Sequence, residues 1–298
     1  MRQDFRHWLG TLLAVGMALH AGVAAAQDAS ALRAREVSLR AQLSSSQFGR
    51  PLVLISTEAS GDLKGDVYAI ATQPYSVVGP ALQGMDHWCD ILMLHLNVKG
   101  CDWRGSGVAS TLGLAVGRKF DQPLSDAHKV DFGYRLAAST ADYLQVLLSA
   151  EIGPLGTKNY RIVLEAMPLD EKSSFIHMSY SYGYGVAARL AMQSYLATLG
   201  RDKVGFTVVE RGSDGSPVYV GGVLGVIERN AMRYYLAIDA YLAAYTLPRA
   251  EQPESRIRAW ITSTERYALQ LHEMERDEYL TMKRKELARQ QAAVAKVE

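Results

Sequence analysis

The sequence predicts an α+β fold, an antiparallel meander with helices before and after it, then a hairpin and C-terminal helices. Three observations carry that expectation. From about residue 112 to 185, successive runs alternate apolar and polar side chains and are joined by short turns, the pattern of a meander with one buried face. Ahead of it, Val77, Val78, Leu82, Met85, Trp88, Leu92 and His95 recur at threes and fours, a helical spacing broken near Pro80 and Gly84. Beyond residue 204 a short hairpin gives way to helix-period sequence.

Taken in order, residues 31–43 read as a short helix ending in three serines, and Pro51–Ser56 as an apolar strand. Gly61–Gly65 reads as a turn, and Asp66–Ala71 as the strand that pairs back. In the meander, Leu112, Leu114 and Val116 form one apolar row, and Val130, Phe132, Tyr134 and Leu136 a second. Residues 143–152 give a further strand, stopped by Gly153-Pro154-Leu155-Gly156. Tyr160, Ile162, Leu164 and Ala166 follow, and then Ile176, Met178, Tyr180, Tyr182 and Tyr184, alternating with His177, Ser179, Ser181 and Gly183. A helix is expected at about 186–200, with Val186, Leu190, Gln193 and Ala197 as one stripe. Val204–Glu210 and Pro217–Gly221 flank a Gly-Ser-Asp-Gly-Ser turn. Leu224–Leu247 reads as a helix stopped by Pro248, and Glu254–Gln291 as one or two charged helices.

The first residues set the expected compartment. Arg2 and Arg6 precede an apolar stretch from Trp8 to Leu19, and Ala24-Ala25-Ala26 leads into polar Gln27-Asp28. That is the three-part layout of a secretory signal peptide cleaved near Ala26-Gln27, and it implies a periplasmic protein. The apolar middle falls short of the roughly 20 residues that span a bilayer. Removing residues 1–26 takes Arg2, Arg6 and Asp4 from 32 basic and 31 acidic residues, leaving 30 of each in 272 residues. A balanced charge with no basic stripe argues against nucleic acid, and no apolar run of spanning length follows the leader. Cys89 and Cys101 are the only cysteines. In an exported chain an isolated pair reads as a disulfide, the alternative being two separate buried thiols.

The order strand, broken helix, meander, helix resembles the helix-grip superfamily, the START-like and polyketide-cyclase-like lipid-binding proteins, over roughly residues 65–200. Three stretches carry the likeness: Gly65–Val78, a strand running into proline and a helix; Met85-Asp86-His87-Trp88-Cys89, the tryptophan-bearing end of the small helices; and Tyr180-Ser181-Tyr182 followed by helix 186–200 as the gripping helix. The resemblance implies a helix-grip domain over residues 27–203, with residues 204–298 as a hairpin and helical extension. It also implies an apolar cavity between sheet and helix, with Trp88, Leu92, His95, Phe132, Tyr134, Tyr160, Tyr180 and Tyr182 as candidate ligand-binding residues. Tyrosine suits such a wall because its ring packs and its hydroxyl can orient a polar head. Core packing is the competing fate of the same stripe.

Other chemistry is weaker. Asp86, His87, Cys89 and His95 could pair a thiol with a base, but a disulfide would silence the thiol, and no metal-ligand spacing is present. Gly221–Gly225 lacks the Lys-Ser/Thr pair of a phosphate loop and reads as a tight turn. Arg118, Arg135, Arg161 and Glu151 read as solvated outer-face charges, with pairing to a ligand head group as the alternative. The expectation is therefore a periplasmic binding protein for a hydrophobic small molecule or lipid, with no cofactor, no metal and no assigned catalytic residue. The alternatives are an enzyme on the same fold acting on a hydrophobic carbonyl compound, and a non-catalytic interaction protein with a filled cavity. The C-terminal helices are expected to act as a lid, a dimer surface or a docking surface for a protein partner.

Overall fold

Strands Leu52–Ala59 (β1) and Asp62–Ala71 (β2) form a hairpin in the computed structural model, which describes residues 28–198 and 200–294. The expected leader, residues 1–26, lies outside the described residues. The hairpin turns on Ser60 and Gly61, both at positive φ (52° and 86°). Two positive φ values give a turn whose twist matches that of the flanking strands. The turn therefore precedes the expected Gly61–Gly65 position, and Gly65 lies within β2.

Six more strands complete the sheet: Val98–Arg104 (β3), Thr111–Val116 (β4), His128–Ser139 (β5), Leu144–Ile152 (β6), Thr157–Pro168 (β7) and Ser174–Tyr184 (β8). Their order is β1-β2-β8-β7-β6-β5-β4-β3, antiparallel throughout. Register puts the expected apolar rows on one face. Ile162 lies between Leu148 and Tyr180, and Leu112 opposite Phe132. The helices Tyr75–Ala81 (α2) and Met85–Leu92 (α3) follow β2, and the Cys89–Cys101 disulfide ties α3 to β3.

The gripped helix is a different one from that expected. Val186–Ala197 (α4) forms, but Leu190 is 59% exposed and the helix packs chiefly on β8 and the 154–156 turn. After the hairpin Val208–Arg211 (β9) and Pro217–Tyr219 (β10), the helix Gly222–Ala244 (α5) lies across β1, β2 and β8. A Cβ on Gly65 would stand 2.8 Å from the Ala231 Cβ and 3.3 Å from the Ile227 carbonyl oxygen. Gly65 is thus a site of close approach between β2 and α5, where a Cβ would not fit. α5 is the longer helix, and it buries Ile227, Met232, Tyr235, Leu236, Ile238, Tyr241 and Leu242. One hydrophobic cluster runs from Leu52 to Met282, so the sheet and the C-terminal residues share a core.

Residues 28–44 form a helix (α1) on the opposite face of the sheet. There Leu32, Leu39 and Leu43 cluster with Val53, Tyr68, Tyr143, Met167 and Phe175. The C-terminal region folds as Gln252–Glu265 (α6), Ala268–Leu271 (α7) and Arg276–Val294 (α8), three helices where one or two were expected. α8 covers the open edge of β3. Lys283 donates to the carbonyls of His95 and Val98, Arg289 to that of Lys99, and Gln290 bonds both the N–H and the carbonyl of Cys101. These bonds satisfy edge groups that another strand would otherwise seek. Behind them a buried Glu286 carboxylate holds Lys99 (3.1 Å) and Lys283 (2.8 Å). No helix among the described residues is long and apolar enough to cross a membrane.

Candidate functional site

α5 carries Val226, Arg229, Asn230 and Arg233 at i, i+3, i+4 and i+7, one face of the helix. That face looks across a cavity of about 660 Å³ to Tyr160, Tyr180 and Tyr182 on β7 and β8. Met192 of α4, Pro154 and Leu155 complete one side. Asn97, Val116 and the loop bearing Arg118, Lys119 and Gln122 complete the other. The tyrosines lie on the sheet face that the period-2 pattern predicted, and they form a continuous aromatic wall. Ring centroids are 5.3 Å apart for Tyr160–Tyr182 and 5.7 Å for Tyr180–Tyr182, and Tyr180 extends the wall to Tyr234 at 4.9 Å. Tyr160 donates its hydroxyl to Thr157 Oγ1 at 2.9 Å. The hydroxyls of Tyr180 and Tyr182 make no hydrogen bond among the described residues, and burial raises both phenols, which stay neutral donors.

The opposite wall is cationic. Arg229 and Arg233 are buried; Arg229 donates to the Val204 carbonyl, and Arg233 to Glu273 at 2.7 Å. Glu273 also pairs with Lys119 at 2.6 Å and Lys203 at 3.3 Å. Burial alone would raise the Glu273 carboxyl, but Arg233 and Lys119 outweigh it and hold it at about 2. Burial, with repulsion from Arg233, pushes the Lys119 ammonium down to about 8 despite Glu273.

Of the eight candidate residues, the structure brings Tyr160, Tyr180 and Tyr182 to this cavity. Phe132 stands just behind, edge-on to Tyr160 at 6.2 Å. Trp88 and Leu92 are core residues of α3, the indole N–H donating to the Leu82 carbonyl. Tyr134 accepts the Gly84 N–H through its hydroxyl, at the far end of its row. His95 is buried after the end of α3 and stacks on Tyr234 at 4.7 Å, where its Nδ1 accepts the Asn97 N–H. Burial, reinforced by Arg233 and Lys283, drives its pKa well below the usual value, so the ring is neutral with its proton on Nε2. Among the outer-face charges, Arg118 reaches the cavity rim, whereas Arg135, Arg161 and Glu151 are exposed. The expectation passed over the α5 wall because α5 was assigned to the extension. Glu228, Arg229, Arg233 and Asp239 inside a mainly apolar helix were the available signal.

Two other features stand apart from the cavity. A groove of about 910 Å³ over β3–β6 is lined by charges of both signs, including the mutually paired Arg104, Asp102 and Asp131, and by none of the eight candidates. On the α1 face, His177 lies between Glu165 (Nδ1 to Oε2, 2.6 Å) and Asp66 (Nε2 to Oδ1, 2.8 Å). Both acceptors are carboxylates, so both ring nitrogens carry protons and the ring is an imidazolium. Burial opposes that charge, but the hydrogen bonds to Asp66 and Glu165 outweigh it and raise the pKa. Tyr68 stacks on the ring at 4.3 Å, and Arg35 of α1 lies 5.0 Å from the Tyr68 centroid.

No protein-family model matches the chain, and no curated protein sequence does so. Among solved structures it is similar to norcoclaurine synthase from Thalictrum flavum at 15% identity, covering 49% of this chain and 80% of that one, with a TM-score of 0.34. A conserved protein from Geobacillus kaustophilus matches at 12% identity over 60% of this chain and 95% of that one, TM-score 0.35. A protein from Thermus thermophilus matches at 8% identity over 61% and 99%, TM-score 0.38. The fold itself rests on the topology above: an α+β chain whose eight-stranded antiparallel sheet grips a helix, with further C-terminal helices.

Proposed function

We propose that the protein is an exported, periplasmic binding protein that holds a hydrophobic small molecule or lipid between its tyrosine wall and α5. The observation that carries this reading is the cavity of about 660 Å³, bounded by Tyr160, Tyr180, Tyr182, Val226, Met192 and Leu155. Its size falls in the range of roughly 300–1,000 Å³ usual for small-molecule sites. Aromatic rings supply apolar contact, and two neutral phenol hydroxyls are left to fix a polar group. Burial and release, without bond-making, is all this reading requires of the residues.

The test is a titration with the uncharged apolar probe N-phenyl-1-naphthylamine, using the wild-type protein and a Val226→Trp variant that fills the space from α5. Saturable one-to-one binding by wild type, lost in the variant, is the expected result. Equal binding by both, or no saturable binding by wild type, contradicts the reading. Met192→Trp fills the same space from α4 and serves should Val226→Trp fail to fold.

A further inference from the structure

We infer that the ligand is a neutral carbonyl compound, an apolar body bearing a ketone, ester or amide oxygen, and that Tyr180 and Tyr182 are the donors that hold that oxygen. This inference rests on the binding reading above and adds the chemical class of the ligand. Hydrogen-bonding capacity is its first support. Tyr180 and Tyr182 are 6% and 5% exposed, and both line the cavity. Among the described residues neither hydroxyl has a hydrogen-bond partner, and the polar atoms both sealed from open space and unpartnered include no hydroxyl. Each of the two phenol oxygens therefore meets the cavity itself. Their neighbour Tyr160 is the contrast, since its hydroxyl is already given to Thr157 at 2.9 Å. A buried donor without an acceptor carries a desolvation cost that a ligand oxygen removes.

The state of the other polar groups is the second support. The cations of the lining are engaged on their own side of the cavity: Lys119 and Arg233 with Glu273, Arg229 with the Val204 carbonyl, and Arg118 over the Phe120 ring at 5.6 Å. Asn97 gives its side-chain amide to the Gly117 carbonyl at 2.7 Å. Asp126 and His128 are exposed at the rim. The open capacity of the tyrosine wall is thus neutral and donating. A phenol donates better than it accepts, because its oxygen lone pair is delocalised into the ring, and burial keeps both protons in place. A carbonyl oxygen offers two lone pairs and no proton, which suits two neighbouring donors whose rings lie 5.7 Å apart. An anion would instead bring a charge that costs far more to bury than a neutral acceptor does. The apolar body then lies against Leu155, Met192 and Val226, which complete the space around the rings.

The test uses the full chain expressed with its own leader and three ligands that share a decyl chain: decyl methyl ketone, decyl methyl ether and undecanoate. Each is titrated by displacement of N-phenyl-1-naphthylamine. The ketone is expected to bind about five-fold or more tightly than the ether, the scale of one further hydrogen bond of ordinary net strength, and more tightly than undecanoate. In a Tyr180→Phe, Tyr182→Phe double variant the preference for ketone over ether should fall to within about two-fold. Infrared spectra of the bound, isotope-labelled ketone should show its carbonyl stretch at lower frequency than in hexane, because hydrogen bonding weakens the C=O bond. Equal affinity for ketone and ether, or an unshifted stretch, overturns carbonyl recognition and leaves the hydrophobic-ligand reading standing. Tighter binding of undecanoate overturns the neutral head. A ketone preference kept by the double variant overturns the assignment to Tyr180 and Tyr182. Failure of all three ligands to displace the bound probe overturns the hydrophobic-ligand reading as well. The ligand comparison and the infrared shift are read on wild type, so a misfolded variant does not remove the test.

Discussion

His177 shows how a single side chain can hold a sheet face together. Its two ring protons bind Glu165 and Asp66, Tyr143 donates to Glu165, and Lys64 pairs with Asp66 at 2.8 Å. His177→Gln removes the positive charge and leaves two partly buried carboxylates close together. We expect a loss of about 3 kcal/mol in urea unfolding, the scale of breaking a buried pair from one side. The pH dependence follows from the directions of the shifts. His177 is raised, so its contribution is complete below an unfolded value of about 6.5 and is lost as pH rises through the folded value. For Asp66 and Glu165 burial alone would raise the pKa, but the bonds to His177 outweigh it and lower both. Their contribution is present above unfolded values of about 4 and is lost as pH falls through the folded ones. The gap between wild type and His177→Gln should therefore be widest between about pH 4.5 and 6.5. A gap that grows steadily to pH 9 would contradict the imidazolium. None of this cluster was legible in the sequence: His177, Glu165 and Asp66 sit on three strands, and only strand order makes them neighbours.

At the scale of elements, β1, β2 and the strands from β4 to β8 were legible, whereas β3 and the gripping helix were not. Period-2 alternation placed Phe132, Tyr160, Tyr180 and Tyr182 on one face, because a strand exposes its burial pattern residue by residue. A helix that is apolar on most sides, like α5, carries no such stripe, and nothing local says which helix the sheet encloses. Gly65 recorded the answer indirectly, since a glycine inside a strand marks a close approach. Gly65→Ala should force Ala231 and Ile227 away and cost about 1–3 kcal/mol, the usual range for overpacking. A thermal midpoint unchanged by that substitution would mean that α5 stands off the sheet. The Cys89–Cys101 pair was legible from the cysteine count together with the expected export, and it joins α3 to β3. Replacing both cysteines by alanine should lower stability by about 3 kcal/mol for a loop of this length.

Over the whole molecule, the residues beyond 204 are part of the core and also the guard of its edge. α8 satisfies the backbone of β3 through Lys283, Arg289 and Gln290 and buries Lys99 against Glu286. A chain ending at Glu275 should expose that edge and form oligomers in size-exclusion chromatography with light scattering, and a clean, folded monomer would refute the guarding role. Sequence reasoning reached the cavity from one side only. The tyrosine wall followed from strand periodicity, whereas the arginine wall required knowing that α5 lies opposite it. The account as a whole stands on that cavity holding a ligand. The measurement that tests it most directly is native mass spectrometry of the protein purified from a periplasm, followed by extraction with organic solvent. The account predicts a stoichiometric adduct of lipid or small-molecule mass that leaves on extraction. A clean apo mass, unchanged after incubation with mixed lipids, would contradict it.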